Sequence, residues 1–360
     1  MKAKVIVAVA ALVLAGWSAG TARAEPSYTI TDLGTLGGSE SCGKGVNGSG
    51  QVTGYSDLPG DTATHAYLYS DGTMQDLGTL GGTNSTGYGI NASGQVTGSA
   101  SIPGGGGRAF LYSGGVMQNL GTIAGSTYSL GCAINDSGEV TGYVGFTGTI
   151  QRAFLYSGGV MHQLGTLGGT NSHGYAINKS GQVAGDASFS VNAPAHAFLY
   201  SDGVIHDLGT LGGTNSHGYA INESGQVTGN ACYIGSGNWH AFLYSEGVIL
   251  DLGSLGGSIS YGYGINASGQ VVGDSYLTGN KGGHAFLYTE GTMIDLNTLI
   301  DPGSGWTLTT ASAISDNGFI TGWGTNPAGV THAFLLTPIP EPATLSLLAL
   351  GGLALLRRRR

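Results

Sequence analysis

Apolar residues in this chain fall in short runs, each broken by Gly, Asn, Asp or Ser. Residues 216–230, "SHGYAINESGQVTGN", and residues 240–253, "HAFLYSEGVILDLG", show the pattern. "GYAI" ends at Asn-x-Ser-Gly, where Asn can bond its own backbone and Gly can take the left-handed conformation. "QVTG" follows, then a variable loop, then "HAFLYS". Next comes Asp-Gly, Gly-Gly or an equivalent pair, a strong signal for a two-residue hairpin. A fourth run, "VIHDLG" or its counterpart, completes the unit. These runs have strand length and β-forming composition, and no unit has room for a helix.

The unit repeats. Asp-Leu-Gly or a close variant starts at residues 32, 76, 119, 163, 207, 251 and 295. The His-Ala-Phe-Leu-Tyr string, with variants, starts at 65, 108, 152, 196, 240, 284 and 332. The Ile-Asn-x-Ser-Gly unit centres on Asn47, Asn91, Asn135, Asn178, Asn222 and Asn266, with a looser seventh copy around Ser315. A fixed period in the forties is the mark of a repeat architecture. Seven modules of four strands are therefore expected.

The ends choose between a ring and a stack. "YTITDLG", from Tyr28, matches only a fourth strand, and "HAFLL", from His332, matches only a third. A linear solenoid should carry polar caps. Two half-modules that complete each other predict closure, which leaves only short, protected sheet edges. The expected fold is all-β: a seven-bladed β-propeller of four-stranded blades, closed by pairing of the N-terminal and C-terminal strands. A β-solenoid is the runner-up.

A sequence correlation supports the strand pairing. Where the third strand begins with His65, His196, His240 or His284, the fourth carries Asp76, Asp207, Asp251 or Asp295. Where it begins with Arg108 or Arg152, the fourth carries Asn119 or Gln163. Diagonal partners on one face of a hairpin lie within reach of long side chains. His–Asp bonds inside each module follow, with His332 using Asp32 across the closure. Repetition in nearly every module favours a structural role over a reactive one.

Composition sharpens this picture. There are 69 Gly, and charged residues are only 9% of the chain, against about a quarter in ordinary soluble domains. The glycines recur at fixed places, so they read as turn and close-approach positions. Residues 25–340 hold twenty acidic and five basic residues. Such a body repels nucleic acid and anionic lipid. Cys42, Cys132 and Cys232 lie at different repeat positions without metal-ligand spacing. They read as unpaired small hydrophobes, with a single bridge left open.

Both ends look like addressing signals. A basic start, an apolar run from Val5 to Gly16 and the small-x-small site Ala22-Arg23-Ala24 form a secretory signal peptide, cut by signal peptidase after Ala24. The expected division is a signal peptide over 1–24, the propeller over 25–338 and a tail over 339–360.

The "HAFLY … DLGTLGG … AIN.SGQVTG" module resembles the HAF family of extracellular repeats, from Tyr28 to Thr337. The tail "PIPEPATLSLLALGGLALLRRRR" resembles the PEP-CTERM sorting signal. Pro340, Glu341 and Pro342 form its short motif, Ala343 to Leu356 its apolar segment, and Arg357, Arg358, Arg359 and Arg360 its basic end. That resemblance implies cleavage by an exosortase near the short motif. Fourteen helical residues reach about 21 Å, short of the ~30 Å hydrocarbon core, so the segment suits transient membrane association. The arginines would stay on the cytoplasmic side.

No nucleophile motif, zinc-ligand spacing or phosphate loop is present. No catalytic residue, metal or cofactor is expected. If the protein binds a ligand, the loops between second and third strands and between modules share one face of the disc. Trp239 and Trp323 are expected on the former, and His173, His217 and Tyr261 on the latter. Aromatics beside Asn, Ser and Gly suit sugar rings and hydroxyls. The expected function is a non-enzymatic exported module at the cell surface or in extracellular polysaccharide. The alternative is a polysaccharide-acting hydrolase or lyase, which needs a clustered carboxylate pair on the inner strands; the "GYAIN" strands carry almost no acids.

Overall fold

The computed structural model describes residues 27–191, 193–235 and 238–340. The signal-peptide expectation with Ala22 and Ala24, and the tail residues Glu341, Pro342 and Arg357 to Arg360, lie outside the described residues.

One module shows how the sequence folds. Its first strand is Gly212–Ile221, its second Val227–Tyr233, its third Trp239–Ser245 and its fourth Val248–Asp251. Between the first two, Asn222 Oδ1 accepts from the amides of Ser224 and Gln226, at 3.1 and 3.0 Å. The third and fourth are joined by Glu246 and Gly247, with φ of 51° and 84°. Two consecutive positive φ values match the type I′ hairpin that suits the twist of paired strands.

The strands assemble antiparallel, each beside its neighbour in sequence. Among the described residues there are five four-stranded sheets and one larger sheet. Two modules join in the larger sheet through a single parallel pair, Trp239 with Ile259. This departs from the expectation of separate sheets. The first strand of the following module, Gly256–Ile265, is long enough to reach back to Trp239.

The core lies between sheets. Phe242, on a third strand, is fully buried, as are Tyr67, Phe110, Phe154, Phe198, Phe286 and Phe334 at the same repeat position. Phe242 clusters with Ala184, Ala197 and Leu208 of the preceding module. Burying one aromatic side chain of this kind contributes roughly 2–3 kcal/mol, so each sheet is stabilised mainly by its neighbour.

The two ends of the described chain pair. Tyr28–Asp32 runs antiparallel to Thr331–Pro338, with Ile30 opposite Leu336 and Asp32 opposite Phe334. The sheet so completed packs against the first strand Ser41–Val46: Ser312 Oγ donates to Gly43 O at 2.9 Å, and Ala333 N donates to Ser41 Oγ at 2.9 Å. A solenoid would hold these segments apart.

The His–Asp bonds form as the strand register requires. Nδ1 of His65, His196, His240 and His284 lies 2.9, 3.0, 3.0 and 2.7 Å from Asp76, Asp207, Asp251 and Asp295. His332 reaches Asp32 at 2.7 Å across the closure. Arg108 behaves differently and donates to the carbonyls of Gly107 and Thr127. The three cysteines are free thiols. Among the described residues, no helix is long and apolar enough to cross a membrane.

Candidate functional site: an aromatic cavity on the axis

Each pairing of first and second strands contains a β-bulge. Gly218 pairs with Gly229 and Ala220 with Thr228, which leaves Tyr219 without a partner. The same break isolates Lys44, Tyr88, Cys132, Tyr175, Tyr263 and Ser312. A bulge bends its strand and re-aims one side chain. All seven of these residues line one cavity of about 380 Å³, together with Leu130, Tyr143 and Trp323.

Glycine on the second strand makes this possible. A Cβ on Gly229 would stand 1.7 Å from the carbonyl oxygen of His217, and one on Gly185 would stand 1.8 Å from that of His173. Only a residue without a side chain fits there. The residue after that glycine then differs from module to module: Tyr143 and Trp323 line the cavity, while Asp186, Asn230 and Asp274 occupy the same repeat position.

Asp186 is buried and fully engaged. His173 Nδ1 lies 2.6 Å from Oδ1, His217 Nδ1 lies 2.5 Å from Oδ2, and Tyr175 Oη donates to Oδ2 at 3.2 Å. Burial pushes its carboxyl upward, but the bonds and charges of His173 and His217 outweigh this and hold it at about 2. Asp274 has no such histidines. Burial raises it to about 6, opposed only by a hydrogen bond from Tyr263. Burial also lifts the hydroxyls of Tyr175, Tyr219 and Tyr263, which keeps them protonated. The Cys132 thiol is likewise pushed up by burial, so it is not a ready nucleophile.

On the opposite wall, Lys44 Nζ lies 4.2 Å from the ring centre of Trp323 and 5.7 Å from that of Tyr55. This is cation–π geometry. Burial lowers the Lys44 pKa.

The five residues expected on a ligand face gather around this cavity. Trp323 lines it. His173 and His217 clamp Asp186. Trp239 stacks on His217 at 5.4 Å, and Tyr261 on the lining residue Tyr263 at 6.0 Å. Their placement corrects the loop expectation: all five stand on strands. The strands run on to the rim of the sheets, so positions that read as connections are paired backbone. The acids also sit elsewhere than the inner strands, since Asp186 and Asp274 are on second strands.

A second cavity of about 450 Å³ opens at the Asn-x-Ser-Gly turns. Its charged groups serve the turns. Asp136 accepts from Ala92 N at 2.9 Å and lies 3.3 Å from Lys179 Nζ, and Asp316 accepts from Ala267 N at 2.8 Å. Among the described residues, no group of three His, Cys, Asp or Glu is placed to hold a metal ion.

Residues 338–360 match the PEP-CTERM protein-sorting motif. That motif marks an exported protein processed by an exosortase-type enzyme. No curated protein matches the chain in sequence. Among solved structures, the chain is similar to TolB from Acinetobacter baumannii, at 10% identity and a TM-score of 0.46, over 80% of this chain and 63% of that one. It is also similar to a puromycin-hydrolysing peptidase of Mycobacterium tuberculosis, at 13% identity and a TM-score of 0.57, over 83% and 52%. The chain thus spans less than two thirds of the length of both. The β-propeller domain of the trilobed protease of Pyrococcus furiosus matches at 9% identity and a TM-score of 0.51, over 70% and 82%. That domain is described as having an open velcro topology, whereas here the two terminal strands pair. At these identities the likeness to the last two shows the fold alone, and the fold is a β-propeller.

Proposed function

We propose that this protein is a seven-bladed, HAF-type repeat propeller that acts without catalysis as an exported binding or matrix module for extracellular polysaccharide. The observation that carries the reading is the axial cavity, where the bulge of every module delivers one side chain and every ring of the lining is Tyr or Trp. Flat rings flanked by hydroxyl donors suit the faces and edges of sugars.

The position of the tail supports it. Ile339 N donates to Ser27 O at 2.9 Å, and the Pro338 ring approaches Gly318 in the turn of the last module. The sorting motif therefore leaves from the side of the Asn-x-Ser-Gly turns. The aromatic cavity lies towards the other side, so a chain held by its tail presents the cavity outward. In this reading signal peptidase removes residues 1–24, the tail holds the chain transiently in the membrane, and the propeller body ends near 338.

One observation favours a hydrolase or lyase as the second reading. Asp186 and Asp274 occupy equivalent positions, yet their carboxyls are held at about 2 and about 6. Two carboxyls with separated pKa values are one requirement of acid–base cleavage.

The test is a glycan array probed with the purified full chain, alongside an assay for release of new sugar ends. Binding that Tyr175→Ala and Tyr219→Ala abolish, with melting intact, is expected. Turnover that Asp274→Asn removes would shift the conclusion to the second reading.

A further inference from the structure

The lining of the axial cavity carries one charge. Of the five basic residues over residues 25–340, Arg108 and Arg152 donate to main-chain carbonyls, Lys179 pairs with Asp136, and Lys281 is exposed. Lys44 instead lines the cavity, and the described residues around it there include no acid. Its ammonium makes no ion pair or hydrogen bond with any described residue. It meets the faces of Trp323 and Tyr55, and Nζ stays open to the cavity. Asp186 and Asp274 are bonded by Tyr175 and Tyr263 and stay out of the lining.

This placement costs stability. The same bulge position holds Tyr88, Tyr175, Tyr219 and Tyr263 in other modules, and burial lowers the Lys44 pKa. A desolvated ammonium without an anionic partner is unfavourable, so the fold alone gives no reason for it. The opposite wall is continuous ring surface: the centre of Tyr219 lies 5.3 Å from that of Tyr175 and 5.7 Å from that of Tyr263. A ligand matched to both walls carries an anion on one side and a flat, partly apolar face on the other. The pyranose of a uronic acid has both, a carboxylate on C5 and ring C–H groups that stack on tyrosine. A volume of about 380 Å³ is at the small end of ligand pockets, ~300–1,000 Å³, which suits a chain end. The body, with twenty acidic residues against five basic, repels polyanions, so a single carboxylate is favoured over a run of them.

We propose that the axial cavity takes a terminal uronic acid of a glycan, with its carboxylate on Lys44 Nζ and its ring against Tyr175, Tyr219 and Tyr263. This inference rests on the polysaccharide reading and narrows it to glycans that end in an acidic sugar.

Calorimetric titration of the purified full chain tests the assignment. The probes are disaccharides ending in glucuronate, galacturonate or mannuronate, their methyl esters, and benzoate as a flat carboxylate without a sugar. A charge-assisted contact in a desolvated site corresponds to roughly tenfold or more in affinity. At least one acid should therefore bind about tenfold more tightly than its own ester and than benzoate. Lys44→Met and Lys44→Gln should each remove that advantage while leaving the affinity for the ester unchanged. The ratio of acid to ester in the parent needs no variant and decides the point even where a variant fails to fold. Esters or neutral glycans that bind as tightly as the acids overturn the carboxylate but leave the polysaccharide reading standing. Benzoate binding as tightly as the acids overturns the sugar source. Folded Lys44 variants that bind the acids unchanged leave the ammonium to water alone and overturn the proposal. Failure of every glycan to bind overturns the broader reading as well.

Discussion

The side-chain amide of Asn47 donates to the main-chain carbonyl of Asn91, the equivalent residue of the next module, at 3.0 Å. Asn91 does the same to Asn135, and the relay continues through Asn178 and Asn222 to the carbonyl of Asn266. Ser315 stands at the seventh position, and Asn317 Nδ2 donates instead to Gly48 O at 2.7 Å. One asparagine thus shapes its own turn and ties it to the next. Asn91→Ala removes two donated and two accepted bonds from a residue 3% exposed. At about 1 kcal/mol per bond, the expected loss is roughly 2–4 kcal/mol, read from urea unfolding. Asn91→Asp keeps the accepted bonds and should lose less; equal losses would show that the bonds accepted within the turn contribute nothing.

Gly185→Ala attacks the bulge. The new Cβ would meet the His173 carbonyl at 1.8 Å, a backbone atom that cannot swing away. Overpacking of this kind costs about 3 kcal/mol or more, and here it also moves Tyr175 out of the cavity. A variant with parental melting temperature and unchanged tyrosine fluorescence would contradict the role given to the glycine.

His332→Ala probes the closure. Its partner Asp32 is partly exposed, so the pair itself is worth less than about 1 kcal/mol. The interface it joins is much larger, with Tyr28, Leu336 and Phe334 buried in one cluster. His332→Ala should therefore lower the melting temperature by only a few degrees. Removing residues 28–32 should abolish cooperative unfolding, because the last sheet loses a strand and its packing. A truncated chain that still melts in one sharp transition would show that the ring does not depend on this pairing.

These cases show what could be read from sequence. Asn47, Asp71-Gly72 and His65–Asp76 are local: turn chemistry and strand register act within a few residues, and repetition multiplies the signal. Closure was legible because Tyr28 and His332 head half-modules. The cavity was not. Tyr175 sits in an unbroken "GYAI" run that reads as plain alternation, and nothing local says that the strand bulges there. The cause is a glycine on the facing strand, Gly185, whose contact with His173 exists only after pairing. Asp186 read as one more second-strand residue, although repeat alignment places it level with Tyr143, Asn230, Asp274 and Trp323. That variable position amid constant neighbours was the available clue.

Asp186 and Asp274 should give opposite pH dependences. For Asp186, held at about 2 in the fold against an ordinary value of 3.8, stability is present above pH ~4 and lost as pH falls through 2. For Asp274, raised from 3.8 to about 6, stability is fully present below pH ~4 and lost as pH rises through 6. A shift near two units corresponds to about 3 kcal/mol. Asp274→Asn should therefore unfold at higher urea than the parent at pH 7, with the advantage gone by pH 4. An advantage independent of pH would place the titration elsewhere.

Lys44→Met reports on the opposite wall of the cavity. The ammonium gains from the Trp323 ring, where partly desolvated cation–π contacts are worth about 0.5–2 kcal/mol, but burial disfavours its charge and wins, since the Lys44 pKa is lowered. Met keeps the length and the contact with Trp323 while removing the charge. The variant should melt at or above the parental temperature. A lower melting temperature would mean that the contact with Trp323 outweighs the cost of burying the charge.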